Sequence, residues 1–129
     1  GELIKEIKKR YGEKEVRREE QYRLIRAEIE MGNYADAVKE CEKFINRFGK
    51  EDSLYNSILV EKSNAYWMYG EWDESIKTLE EVAKNTNDEW TKKRLENLKT
   101  TKENLEKQQR KAMEVLTKAQ SKADSKVGK

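Results

Sequence analysis

Histidine and proline are absent from the 129 residues, cysteine occurs once, and no apolar run approaches the ~20 residues that a membrane helix needs. The lack of His removes the usual acid/base group at neutral pH and the commonest metal ligand. A single Cys excludes a disulfide framework and a four-ligand Cys/His zinc site. The lack of Pro leaves nothing to forbid long uninterrupted helices. Apolar residues are also scarce, 35% against 42% charged, where an ordinary domain has roughly 45–50% and 25%. Such a chain reads as soluble, single-domain and helical. Its first residue is Gly1 rather than Met, so a missing targeting segment carries no information about compartment, cytoplasmic or periplasmic.

Charge is unevenly spread. Residues 1–50 hold 13 Lys/Arg and 11 Asp/Glu, residues 51–90 hold 3 and 10, and residues 91–129 hold 12 and 5. The middle is therefore acidic and the C-terminal arm basic, and the two attract each other or different partners.

Glycines punctuate the chain. Tyr22, Ile25 and Ile29 recur at helical spacing within Glu13–Met31, which Gly32-Asn33 stops. Ala37, Val38, Cys41, Phe44, Ile45 and Phe48 mark a second stripe, stopped by Gly49. Asp52-Ser53 supplies an N-cap for a third helix carrying Leu54, Tyr55, Ile58, Leu59, Ala65, Tyr66 and Tyr69, ended by Gly70. Asp73 is the expected cap of a fourth, with Trp72, Ile76, Leu79, Val82 and Ala83 inward and Asn85–Asp88 as closing loop. Nothing then breaks the chain until Gly128, so a fifth helix of over 30 residues follows, about 50 Å long. Leu98, Leu105, Ala112 and Ala119 form a heptad series in it, with Leu95, Lys102, Gln109, Leu116 and Ala123 as companions. Residues 1–12, with Leu3, Ile4, Ile7 and Tyr11 on one side, read as a separate short amphipathic segment ending at Gly12.

The chain repeats itself at an offset of 38. Met31-Gly32-Asn33-Tyr34-Ala35-Asp36-Ala37-Val38 aligns with Tyr69-Gly70-Glu71-Trp72-Asp73-Glu74-Ser75-Ile76, and Cys41 and Phe44 with Leu79 and Val82. The logic is mechanical: Gly32 and Gly70 end a helix, Tyr34 and Trp72 anchor the turn, and small Ala37 and Ser75 let two helices approach closely.

These residues resemble the tetratricopeptide repeat (TPR), a helix-turn-helix unit whose turn reads Gly-x-aromatic-x-x-Ala. The match is closest over Ser63–Ile76; the first repeat follows the pattern only from Leu24 onward, with Glu28 where the second has Tyr66. The resemblance implies an all-α fold of antiparallel repeats, 13–49 and 50–87, with a long capping helix over 88–123 and a frayed tail over 124–129. The offset departs from the family's period of 34 by about one helical turn, expected in the third helix. Lengthened, proline-poor repeats of this kind are similar to those of bacterial cell-envelope assembly proteins, including lipoproteins of outer-membrane protein insertion. Two repeats fall short of the roughly three that a solenoid needs, so the terminal helices are expected to act as caps.

No enzyme motif is present: neither a phosphate-binding glycine loop nor HExxH occurs, and without His the common triads are unavailable. Glu19-Glu20, Glu80-Glu81 and Asp73-Glu74 read as polar helix faces and helix starts, and Cys41 as an unreactive core residue. The chain is read as non-enzymatic, with no cofactor or metal. Arg17, Arg18, Arg23 and Arg26, and later Lys107, Arg110 and Lys111, offer phosphate contacts, but they are interleaved with Glu in a chain of net charge +2, so nucleic acid is an unfavoured partner.

The resemblance lines a groove with the first helix of each repeat and exposes Tyr22, Arg23, Arg26, Leu59, Lys62, Ser63 and Trp67 there. Of the crowded aromatics, Tyr66 and Trp72 are expected to be structural, while Trp67 lies about 100° further round. A carboxylate clamp is not expected, since Tyr22 replaces its Lys. The function implied is a protein–protein interaction adaptor or scaffold that takes a protein or peptide partner. The alternative is a self-assembling structural protein that oligomerises through its helices, the C-terminal one above all.

Overall fold

The computed structural model describes residues 2–127. Five helices account for nearly all of it, α1 (Glu2–Glu30), α2 (Tyr34–Phe48), α3 (Tyr55–Tyr69), α4 (Trp72–Thr86) and α5 (Glu89–Val127), with no strand among the described residues. The fold is all-α with a long C-terminal helix. Consecutive helices α1 to α4 pack on one another, and α1 also meets α3. Two compact units result, residues 1–92 and residues 93–129. The first holds α1 to α4 and the start of α5; the second is the remainder of α5.

The core of the first unit follows from the apolar stripes. Ile25 of α1, Cys41 and Phe44 of α2 and Ile58 of α3 have no exposed surface and form one cluster, against which Tyr22, Ile29, Ile45, Phe48 and Leu54 pack. Each fully buried large side chain stabilises by about 1.5–3 kcal/mol. Leu79 and Val82 are the buried residues of α4 equivalent to Cys41 and Phe44.

The two repeats share their turn, bond for bond. In the first, Gly32 N–H donates to the Ile29 carbonyl, Asn33 N–H to Glu28 at 2.8 Å and Ala37 N–H to Asn33 at 2.9 Å. In the second, Gly70 N–H donates to Trp67, Glu71 N–H to Tyr66 at 2.9 Å and Ser75 N–H to Glu71 at 3.0 Å. Gly32 and Gly70 take φ of +82° and +92°, a left-handed conformation that costs an L side chain roughly 1–2 kcal/mol.

Several boundaries differ from expectation. Gly12 does not end a helix: α1 runs through it, because an interior Gly costs only about 0.5–1 kcal/mol against Ala and the flanking residues are good helix formers. The side chains of Leu3, Ile4, Ile7 and Tyr11 lie outside the described residues. The second helix begins at Tyr34, and α4 begins at Trp72, so Asp73 sits inside its first turn rather than capping it. The third helix begins at Tyr55, because Asp52 and Ser53 form the loop before it: Leu54 N–H donates to Asp52 Oδ1 at 2.8 Å. Asp88 performs the same service for α5, accepting from Trp90 N–H at 3.2 Å and from the Thr91 hydroxyl at 2.9 Å. The helix then continues through Val127, past the Ala123 at which fraying was expected.

Candidate interaction surface

Each residue expected in the groove sits on α1 or α3, but the two helices present them differently. On α1, Arg23 is exposed and 3.8 Å from Glu19 one turn earlier. Arg26 is exposed and lies over the half-buried Tyr22 ring, 6.0 Å from its centroid. Tyr22 and Arg23 line one open depression with Glu19, Ser53 and Leu54, between α1 and the loop before α3.

On α3 the expected frame is overturned at two positions and narrowed at two more. Leu59 is 3% exposed and Ser63 1%, so neither lines a groove. Leu59 belongs to the apolar stripe of Tyr55, Ile58 and Ala65, and helical spacing does not let one residue face both the core and the open side. Ser63 is occupied by α4: its hydroxyl donates to the Ser75 carbonyl at 2.9 Å, the Ser75 hydroxyl donates to the Ser63 carbonyl at 2.7 Å, and the two oxygens are 3.0 Å apart. Lys62 points towards α2, its ammonium 3.9 Å from Glu42 and 5.7 Å from the Tyr66 ring centroid. Trp67, half-buried, meets the turn, its ring 6.0 Å from Trp72 and tilted by 35°. The small residues Ala37 and Ser75 have no exposed surface.

Beside Trp67, the side of α3 opposite its apolar stripe carries residues outside the expected set: Ser57, Val60, Glu61 and Asn64, half-buried, and Met68, exposed. Glu61 is the chemically informative one. Burial pushes its carboxyl above the usual carboxylate range, and the charge of Arg26 pulls the other way. Arg26 of α1 therefore lies near enough to Glu61 of α3 for its charge to be felt there, with the Tyr22 ring beside the guanidinium. The signal was available in the sequence, since positions 57, 60, 61, 64 and 68 lie opposite the stripe of 55, 58, 59, 62, 65 and 66 at 100° per residue.

A second unexpected feature is Arg18. It is not a phosphate-contacting cation: it is 6% exposed and its guanidinium grips both Asp52 oxygens, Nε to Oδ2 at 2.7 Å and a terminal nitrogen to Oδ1 at 2.6 Å, with Ser53 Oγ at 3.0 Å. Such a two-point pair holds the loop against α1.

The buried titratable groups are arranged for packing. Burial pushes the Cys41 thiol up to about 12, which leaves it protonated and a poor nucleophile at neutral pH. Burial also raises Tyr66, whose neighbours Glu42 and Glu74 add to the effect, and Tyr55, whose hydroxyl meets Glu81. Among the described residues no group of three or more His, Cys, Asp and Glu side chains gathers as a metal site would, and none of the helices is long and apolar enough to cross a membrane. Across α1 and α3 the exposed and half-buried groups thus include a ring, a guanidinium, a carboxylate and an exposed Met. Comparison with known proteins returns no match: no protein family fits the chain, and neither a curated protein nor a solved structure matches it.

Proposed function

We infer that this chain is a TPR-like interaction module, a non-enzymatic adaptor that holds a protein or peptide partner against α1 and α3 within a multi-protein assembly. The observation that carries this reading is the duplicated turn, in which residues 28, 29, 33 and 37 and residues 66, 67, 71 and 75 make the same backbone bonds. A duplicated helical hairpin of this kind builds an extended surface from rigid elements, and such surfaces serve binding. The binding face is Tyr22, Arg23 and Arg26 together with Glu61 and Met68. Aromatic and apolar groups contribute affinity there, and the charges set orientation and rate. The lengthened, proline-free repeats favour a place in cell-envelope assembly.

Affinity capture with the parent and with an Arg23→Glu, Arg26→Glu double variant tests the reading. The expected result is a protein recovered reproducibly by the parent and lost by the variant. Recovery of nothing, or of the same proteins by both, defeats it. Retardation of nucleic acid that persists near physiological salt would instead mean that the arginines of α1 contact phosphate.

A further inference from the structure

Residues 107–125 of α5 are all exposed. Met113, Val115 and Leu116 are 61%, 67% and 63% exposed, although helices in proteins draw most of their stability from packing one face. At 100° per residue every charged residue from Lys107 to Asp124 falls on one side of this helix, in a chain that is 42% charged. The opposite sector, about 160° wide, contains none. Its central row is Gln109, Ala112, Leu116, Ala119 and Ala123, bordered by Met113 and Gln120 on one flank and by Gln108 and Val115 on the other. Lys107, Lys111, Lys118 and Lys122 run along the charged side.

We propose that this charge-free face pairs with the same face of a second copy, antiparallel, with Leu116 of each copy beside Ala112 of the other. The composition selects a helix as occupant. Three glutamines on the face resist burial in lipid, where their amides find no partner, whereas a protein interface offers polar partners such as Lys122 of the second copy opposite Gln108. Alanine at 112, 119 and 123 permits helix axes as close as about 8 Å. The pattern also complements itself. In this register large Leu116 fills the space left by small Ala112, Val115 meets Val115 of the second copy and Met113 meets Met113. Lys122, the one cation bordering the face, lies across from Gln108, so no like charges oppose one another. A parallel pair sets Ala112 against Ala112, leaving a gap, and brings the basic ends of both arms side by side. The pairing rests on α5 alone and is independent of the partner surface on α1 and α3.

Sedimentation velocity of the full chain over a concentration series tests it, with circular dichroism to confirm that each variant stays helical. The parent is expected to dimerise reversibly. Leu116→Glu, an exposed position in the single copy, is expected to abolish the dimer, and Lys111→Glu on the charged side to leave it intact. Val115→Cys is expected to form an interchain disulfide on mild oxidation while Lys111→Cys does not, Cys41 being buried and inert. The proposal is overturned by a parent that remains monomeric to its solubility limit, by a dimer indifferent to Leu116→Glu, or by a dimer in which Val115→Cys fails to link. A monomeric parent that binds phosphatidylserine vesicles overturns it in favour of a lipid surface.

Discussion

In the first repeat, positions 25 and 37 are Ile and Ala; the equivalent positions of the second, 63 and 75, are both Ser. All four are buried, with at most 1% of their surface exposed, and the turn that connects each pair is the same. One backbone thus accommodates two chemistries. The first repeat has an alkyl side chain and a small one at these positions, neither able to hydrogen-bond. The second exchanges two O–H···O=C bonds between helices, a directional arrangement that fixes the approach of α3 and α4 and exposes no unpaired hydroxyl. The ends differ too. Arg18 in the first repeat is tied by a buried ion pair to Asp52, whereas its equivalent, Asn56, accepts an exposed hydrogen bond from Asn85 Nδ2 at 3.0 Å. Backbone repetition therefore does not distribute stability equally: an ion pair and an apolar cluster tie the first hairpin to the start of the second, and a hydroxyl exchange joins the two helices of the second.

The sharpest way to break that contrast is at the ion pair. Asp52→Ala leaves the Arg18 charge buried without this carboxylate and removes the acceptor of Leu54 N–H, a loss of about 3–5 kcal/mol, read by urea denaturation. The same substitution at Asn56 is expected to cost less than about 1 kcal/mol. Equal losses at the two positions would mean that the repeats are anchored alike.

A smaller effect is expected at the crossing. Ser63→Ile overfills the second repeat and strands the Ser75 hydroxyl, at about 3 kcal/mol. Adding Ser75→Ala copies the first repeat's pair, so the double variant should recover at least about 1 kcal/mol of that loss, a non-additivity that a double-mutant cycle measures. Strict additivity would show that the two crossings are not equivalent. Below this lies Ala37→Leu, which puts a large side chain at a fully buried small position and should cost roughly 1–3 kcal/mol, against about 0.5 kcal/mol or less for the same change at Ala35, exposed in the first turn of α2. A melt in which Ala37→Leu matches the parent would remove the close contact assigned to that position.

The repeat and the five helices were legible because their signals are local. Gly32 and Gly70 mark places where the chain needs positive φ, and the apolar stripes recur every three to four residues. The continuity of α1 was not legible, since Gly12 in a solvated helix has nothing within 4 Å of its missing Cβ and so reports no constraint. Arg18 and Asp52 are 34 residues apart, and patterns of three and four residues cannot reveal a pair at that separation. The groove differs for another reason. The family's frame places Leu59 and Ser63 on the open side, whereas this chain's own stripe assigns Leu59 to the core and leaves Glu61 and Asn64 facing out.

Glu61 supplies the smallest and most discriminating prediction, because its equivalent in the first repeat is the exposed Arg23. Burial raises the folded-state pKa of Glu61 above its unfolded value, with Arg26 opposing the shift. The native state then binds this proton more tightly than the unfolded one, so the group's contribution is fully present below the unfolded pKa and is lost as pH rises through the folded pKa. At neutral pH the ionised carboxylate consequently carries a burial cost that the Arg26 charge does not fully offset. Glu61→Gln should melt slightly above the parent at pH 7, with the difference disappearing as pH falls through the ordinary carboxylate range near about 4. Arg23→Gln, altering a solvated charge, should show no such pH-dependent gain. A Glu61→Gln variant that melts below the parent at pH 7 and converges with it at acid pH would reverse the sign, making Arg26 and Glu61 a stabilising tie between α1 and α3.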